Sequence, residues 1–403
     1  MYISQLVVAV AAASFQTALG AAVQGFNYGA NAPDGRVKVK NDYATEFSTA
    51  KSLVGAPANG FTSARLFTMR QGDSSEPIEA IEAAMETKTS LLLGLWCSEN
   101  DARFASELEA LVYAIKKYGD HLAKIVVGIS VGSEDLYRIS GIGRTNNETG
   151  GAEPSSIVDY IKQVRDATRN TALANIQVGH VDTWTAWVNG SNQAVIDACD
   201  WVGFDAYPYW QTTQANAIEN GKTLFEKALT DTKNAVGGKD VWVTETGFPV
   251  SGRTMGQAEP SVENAKRYWH EVGCSLFGST NVWWYTLADP GSMPSFGITT
   301  DSSKNTPLFD ISCKVSVSST LIVLLSNGSG SSATDAAGVS STTRKPKGTG
   351  SSDSGSTTDS GSNSTLGTPR PSVTPNTNPN GASIIAGSMM GAVAAVMAIV
   401  AVV

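Results

Sequence analysis

The apolar positions of the chain fall into an alternation of two patterns. Eight short runs rich in aliphatic, β-branched and aromatic residues occupy 23–28, 63–68, 90–97, 124–131, 177–182, 201–207, 241–245 and 281–287. Between them, residues 43–53, 77–87, 102–118, 155–170, 192–198, 215–235 and 262–277 carry helical spacing or helix-start signals. Pro77 and Pro154 stand where a first helical turn tolerates proline. Each strand-like run is continuously apolar rather than alternating with polar residues, which is the pattern of a parallel sheet covered on both faces. Eight such strands interleaved with helices predict an α/β fold, a closed (β/α)8 TIM barrel. An open doubly wound sheet is the runner-up. It calls for a glycine-rich phosphate turn after the first strand, and GFNYGANAPDG lacks the G-x-G-x-x-G order.

Outside the barrel pattern the two ends differ from the middle. Residues 1–20 are an apolar run ending in small residues, with A-x-A-like sites at 18–20 and 20–22, and predict a secretory signal peptide. No Lys or Arg precedes the run, so an uncleaved anchor is the alternative. Residues 21–315 are assigned to the barrel. Residues 316–380 shift to Ser, Thr, Gly, Asn and Pro, cannot bury a core, and predict a disordered, O-glycosylated stalk; the apolar run 321–325 does not fit that description. Residues 381–403 are small and apolar, follow the small triplet Asn380-Gly381-Ala382, and predict a GPI-attachment signal with Asn380 as the attachment residue. A retained membrane span is the rival reading.

Composition narrows the function classes. A net charge of −8 argues against a nucleic-acid binder. His121, His180 and His270 lack ligand spacing, so neither a metal nor any other cofactor is expected. Cys97, Cys199, Cys274 and Cys313 form no CxxC pair; in a secreted chain they predict two disulfides, with three connectivities open. Sequons at Asn147, Asn189, Asn327 and Asn363 predict N-glycosylation in the same compartment. Asp101, Glu107 and Glu109 read as the solvated face of a helix.

A TIM barrel builds its site at the carboxyl ends of its strands, so the polar and aromatic residues ending each run are the candidates. Glu134 follows the fourth run and Glu245 ends the seventh. Around them stand Tyr28 on the first, Arg65 and Phe67 on the second, Trp96 on the third, Asp205 and Tyr207 on the sixth, and Trp283, Trp284 and Tyr285 on the eighth. Two carboxylates suit glycosidic cleavage, and aromatic faces suit the C–H surface of a sugar ring. Trp242, between apolar strand residues, reads as core. Arg65 has two readings, contact with substrate or pairing of a carboxylate inside the barrel.

The stretch TETGFP, followed by Ser251-Gly252 after the apolar run 241–243, resembles the signature of family 17 of the glycoside hydrolases. With its leader, stalk and tail the chain is similar to the fungal cell-wall endo-1,3-β-glucosidases of that family. The resemblance spans residues 23–313 and implies that Glu245 is the nucleophile and Glu134 the acid/base of a retaining double displacement on β-1,3-glucan. Tyr28, Arg65, Asp205, Tyr207, Trp283 and Trp284, read from the strand ends, and Ser133 beside Glu134 are the expected substrate contacts. Two positions depart from the family pattern: Ser133 precedes Glu134 where Asn is usual, and Asp205 replaces the Asn of an Asn-Ala-Tyr-Pro motif. The expected setting is a monomer, secreted and held at the outer face of the plasma membrane by a GPI lipid and in the cell wall. Transfer of the glycosyl group to a second glucan chain, or glucan binding without catalysis, are the competing functions.

Overall fold

The computed structural model describes residues 22–57 and 60–313. The expected signal segment, the stalk with its apolar run 321–325, Asn327, Asn363 and the tail with Asn380 lie outside the described residues. All eight expected strands form: β1 (Gln24–Tyr28), β2 (Ser63–Leu66), β3 (Ser90–Leu95), β4 (Val126–Ser133), β5 (Val178–Thr183), β6 (Trp201–Asp205), β7 (Asp240–Glu245) and β8 (Val282–Trp284). Each pairs in parallel with its neighbours, and β8 returns to β1 to close the barrel.

The helices pack outside this ring because their buried positions recur at helical spacing. The helix Pro154–Thr168 buries Ile157, Tyr160, Ile161, Val164 and Thr168, with Pro154 in its first turn as expected. Pro77 lies ahead of its helix instead, bridging to Arg70, and that helix spans Ala80–Thr87. The final expected helix is three short pieces, Val262–Tyr268, a π-turn Trp269–Gly273, and Cys274–Leu276. Glu107 departs from its expected solvated face. It is fully buried, accepting hydrogen bonds from the Thr68 hydroxyl at 2.6 Å and the Met69 amide at 2.7 Å, so it ties the helix Asp101–Tyr118 to the loop after β2.

The barrel floor is a slab of tryptophan. Trp201, Trp242 and Trp283 pack with Leu92 and Val181, the Trp201 and Trp242 rings stacked 4.0 Å apart. Gly128 makes room for them, since a Cβ there would sit 2.9 Å from the Trp242 ring. Trp242 is therefore core, as the sequence suggests. Trp283 corrects the expectation of substrate contact: it is buried in this floor, its indole N–H donating to the Ser63 hydroxyl at 3.0 Å. Trp284 is corrected likewise. Successive strand residues face opposite ways, and it lies on the helix side against Trp269, 4.8 Å between rings.

One disulfide is present, Cys274–Cys313, where two were expected. Cys97 and Cys199 are free and buried. Cys97 follows the carboxyl end of β3 and Cys199 precedes the amino end of β6, so the barrel holds them at opposite ends.

Candidate active site

Two breaks in strand register shape the carboxyl end of the barrel. The β6–β7 pairing shifts between Phe204 and Asp205, which sets Asp205 opposite Glu245. The β4–β5 pairing shifts between Ser130 and Ser133, immediately before Glu134. Bulges of this kind re-aim a side chain that strict alternation would send to the other face. Glu134 itself adopts the left-handed region, with φ of 58°, and Gly132 at φ 90° precedes it. A Cβ at Gly132 would lie 2.2 Å from an Asp135 carboxylate oxygen. A non-glycine residue held in that region stores backbone strain that the surrounding structure must enforce.

The enforcement is a buried polar network behind Glu134. Its backbone N–H donates to the Val181 carbonyl at 2.9 Å. Asp135 accepts from the Ser133 amide at 2.8 Å and the Ser98 hydroxyl at 2.5 Å, and Asp182 accepts from the Leu136 and Tyr137 amides. His180, fully buried, has Nδ1 2.6 Å from the Val131 carbonyl and Nε2 3.0 Å from Asp182. Burial works against its charged form, but the hydrogen bond and charge of Asp182 outweigh it and hold the imidazole above its ordinary pKa. His180 thus has a place in the support of Glu134 that its sequence position did not signal. Asp182 stands on β5, where the strand-tip rule reaches it.

Glu245 is gripped from two sides. Arg65 Nη1 donates to its Oε1 at 2.6 Å and the Tyr207 hydroxyl to its Oε2 at 2.7 Å. The same guanidinium donates to Asn27 Oδ1 at 2.7 Å and to the Ser133 hydroxyl at 2.9 Å, tying β1, β2, β4 and β7 together. Arg65 therefore takes the second of its two readings, the buried ion pair. Tyr207 reaches Glu245 and orients it. Ser133, the departure from Asn, serves as acceptor for Arg65. The guanidinium and the phenol between them engage both carboxyl oxygens of Glu245 and fix its orientation. Tyr28 is buried, edge-on to Phe47 at 5.0 Å.

Glu134 sits in a different field. Burial first, and then the charge of Glu245, push its carboxyl up to about 8, with Arg138 pulling the other way. Arg138 Nη2 lies 3.7 Å from Glu134, while its Nη1 lies 3.0 Å from Glu148. The two arginines also cover the half-buried rings at the rim, Arg65 over Phe67 at 4.7 Å and Arg138 over Trp96 at 5.3 Å. An oxygen from each of Glu134, Asp205 and Glu245 lies within 4.8 Å of the others. Asp205 accepts from the Thr244 hydroxyl at 2.6 Å. Burial, then the charge of Glu245, hold its carboxyl well above the usual range. Of the sequons within the described residues, Asn147 and Asn189 are both exposed.

Such a pair, Glu134 with its carboxyl pushed up and Glu245 held in place by Arg65 and Tyr207, can donate a proton to one atom of a bond and attack the other from carboxyls within 4.8 Å. Comparison with known proteins agrees with that chemistry. The profile of the BtgE/BtgC glycoside hydrolase domain matches residues 25–292. A probable glucan endo-1,3-beta-glucosidase of Aspergillus fumigatus is 56% identical over 303 residues, covering 74% of this chain and 66% of that protein. The chain thus spans just under two thirds of that relative's length. A glucan 1,3-beta-glucosidase of Saccharomyces cerevisiae is 30% identical over 291 residues, 70% of this chain and 86% of the other. The fold is shared with a glycoside hydrolase family 17 beta-1,3-glucanosyltransferase from Rhizomucor miehei, at a TM-score of 0.56 and 23% identity over 71% of this chain and 98% of that one.

Proposed function

Because the chain belongs to the BtgE/BtgC family of glycoside hydrolases, we propose that it cleaves β-1,3-glucan internally, with retention of anomeric configuration. The observation that carries this is the spacing and unlike setting of two carboxylates. Oxygens of Glu134 and Glu245 come within 4.8 Å, which suits the separation of about 5–5.5 Å of retaining enzymes and not the 6.5–9.5 Å that leaves room for water in inverting ones. Glu245, ion-paired and oriented, attacks the anomeric carbon; Glu134, protonated up to about pH 8, gives its proton to the leaving oxygen. A glycosyl ester on Glu245 results. Glu134, now a carboxylate, takes a proton from the incoming acceptor, whose oxygen displaces Glu245 and restores both groups.

The identity of that acceptor, water or a second glucan chain, divides hydrolysis from glucanosyl transfer. We place the protein in hydrolysis of wall glucan, as a secreted, N-glycosylated glycoprotein held by a GPI lipid. The sequence features supporting that setting are the apolar leader, the Ser/Thr-rich stalk and the small, apolar tail. The testing experiment is a product profile on linear β-1,3-glucan that resolves anomeric form and chain length together. Initial β-anomers no longer than the substrate are expected. Initial α-anomers overturn the retaining mechanism, and products longer than the substrate assign transfer instead.

A further inference from the structure

Asp205 ends β6 next to the nucleophile, almost fully buried. Its Oδ1 accepts the Thr244 hydroxyl, while its Oδ2 is buried with no hydrogen-bond partner among the described residues. The charged and titratable groups around it are Arg65 from β2, Glu134 past β4, Tyr207 past β6 and Glu245 on β7. Arg65 spends both terminal nitrogens on Asn27, Glu245 and Ser133. Arg138 is divided between Glu134 and Glu148. Among the described residues no cation is hydrogen-bonded to Asp205, although an oxygen of it lies within 4.8 Å of both other carboxyls. An ionised Asp205 there is a buried charge without a partner, beside a like charge.

We infer that Asp205 is a neutral carboxylic acid: a positioning residue that keeps its proton on the unpartnered Oδ2 and leaves Glu245 the one anion of the three carboxyls. This rests on the reading of Glu245 as the anionic nucleophile. The departure from Asn at this position then changes little in charge, since an amide and a protonated carboxyl both pair one acceptor oxygen with a donor. Thr244 fixes Oδ1, so the proton stays on the side away from β7's hydroxyl. With Asp205 neutral, the single positive charge of Arg65 is matched by the single negative charge of Glu245. With it ionised, Asp205 competes for Arg65 and adds a repulsion that Glu134 also senses.

The test compares Asp205→Asn and Asp205→Ala with the wild type, using steady-state pH profiles on laminari-oligosaccharides and an infrared difference spectrum at pH 6. In Asp205→Asn, kcat is expected to fall by no more than about tenfold, and the basic limb to stay within about 0.3 pH unit of the wild type, because no charge is removed. Asp205→Ala is expected to lower kcat by about 100-fold or more with KM changed by a few-fold at most. The wild type minus Asp205→Asn spectrum should contain the C=O stretch of a neutral carboxyl. The proposal is overturned by a carboxylate band in its place, by a basic limb moved a full unit to acid, by an amide variant as slow as alanine, or by an amide variant that does not fold. Glu245→Gln separates the two ideas. If that variant keeps turnover the nucleophile assignment fails, while the infrared band still decides the protonation of Asp205.

Discussion

Replacing Glu148 by Gln should move the working pH of the enzyme without touching either catalytic carboxyl. Arg138 bridges Glu148, 3.0 Å from one terminal nitrogen, and Glu134, 3.7 Å from the other. One guanidinium spans them, so the two carboxylates are at most about 9 Å apart. Across that distance, at an effective dielectric of roughly 20–40, their repulsion is about 1–2 kcal/mol, or about 0.7–1.4 pH units. Gln keeps the shape, the acceptor for Arg138 and the sequon at Asn147. Removing the negative charge frees Arg138 to favour ionised Glu134, so the Glu134 carboxyl falls from about 8 toward about 7. The assay is kcat/KM against pH on laminari-oligosaccharides at low salt, since Glu148 is partly solvated and its field is screened. The basic limb should shift to acid by about one unit, and at pH 7.5 the rate should fall about threefold. A basic limb that stays in place or moves to alkali refutes the division of Arg138 between the two carboxylates.

Four further outcomes are expected. Glu134→Gln should be more stable than the wild type in alkali: the raised carboxyl contributes stability present below its ordinary pKa of 4.5 and lost as pH rises through about 8. The advantage of Gln should therefore grow across that window to about 5 kcal/mol, read from urea midpoints at each pH, and a pH-independent difference contradicts it. Arg65→Met leaves Glu245 a buried, uncompensated charge and should cost about 3–5 kcal/mol along with nearly all turnover; urea unfolding that matches the wild type refutes the pairing. Arg65→Lys should also be impaired, because a single ammonium cannot reproduce the fork to Asn27, Glu245 and Ser133. Removing the Cys274–Cys313 disulfide by double Ser substitution frees a closure of 39 residues and should lower stability by up to about 4 kcal/mol in calorimetry.

The barrel was legible because continuous apolar runs of β-branched residues, repeated eight times between helical segments, have few other ways to be buried. Glu134 and Glu245 were legible for the same reason, as carboxylates standing at the ends of such runs. Two of the aromatic residues were not, although Trp242 was read as core and is core. Trp283 and Trp284 sit on a strand buried on both sides, so composition marks them as apolar without saying which wall each one fills. The supporting groups were hidden for another reason. Asn27, Asp135, His180 and Arg138 make bonds across strands and loops that no spacing announces, whereas Asp182 ends the fifth run, where the strand-tip rule reaches it. Glu107 looks solvated on a helix wheel because its partners, Thr68 and Met69, lie in a separate loop. Cys97 and Cys199 misled because pairing depends on which end of the barrel each occupies.

The register breaks explain why so many charged groups tolerate this site. A regular strand alternates its side chains, so Thr244 and Glu245 could not both address the cluster around Asp205; the shift between Phe204 and Asp205 allows Thr244 to bond Asp205 while Glu245 meets Arg65 and Tyr207. The break before Ser133 does the same on β4, letting Ser133 face Arg65 while the following turn carries Glu134. Each break opens the ladder, and the lost pairing is replaced by side chains: Asn27 donates to the Thr244 carbonyl at 3.0 Å, and Asp135 and Asp182 take the amides around Glu134. Beneath them the tryptophan floor cannot shift, because interiors packed to that density are not continuously deformable. The strain at Glu134 is held by this rigid base together with the hydrogen bonds that Asp135 and Asp182 accept from the amides around it, which fixes the carboxyls of Glu134 and Glu245 close together.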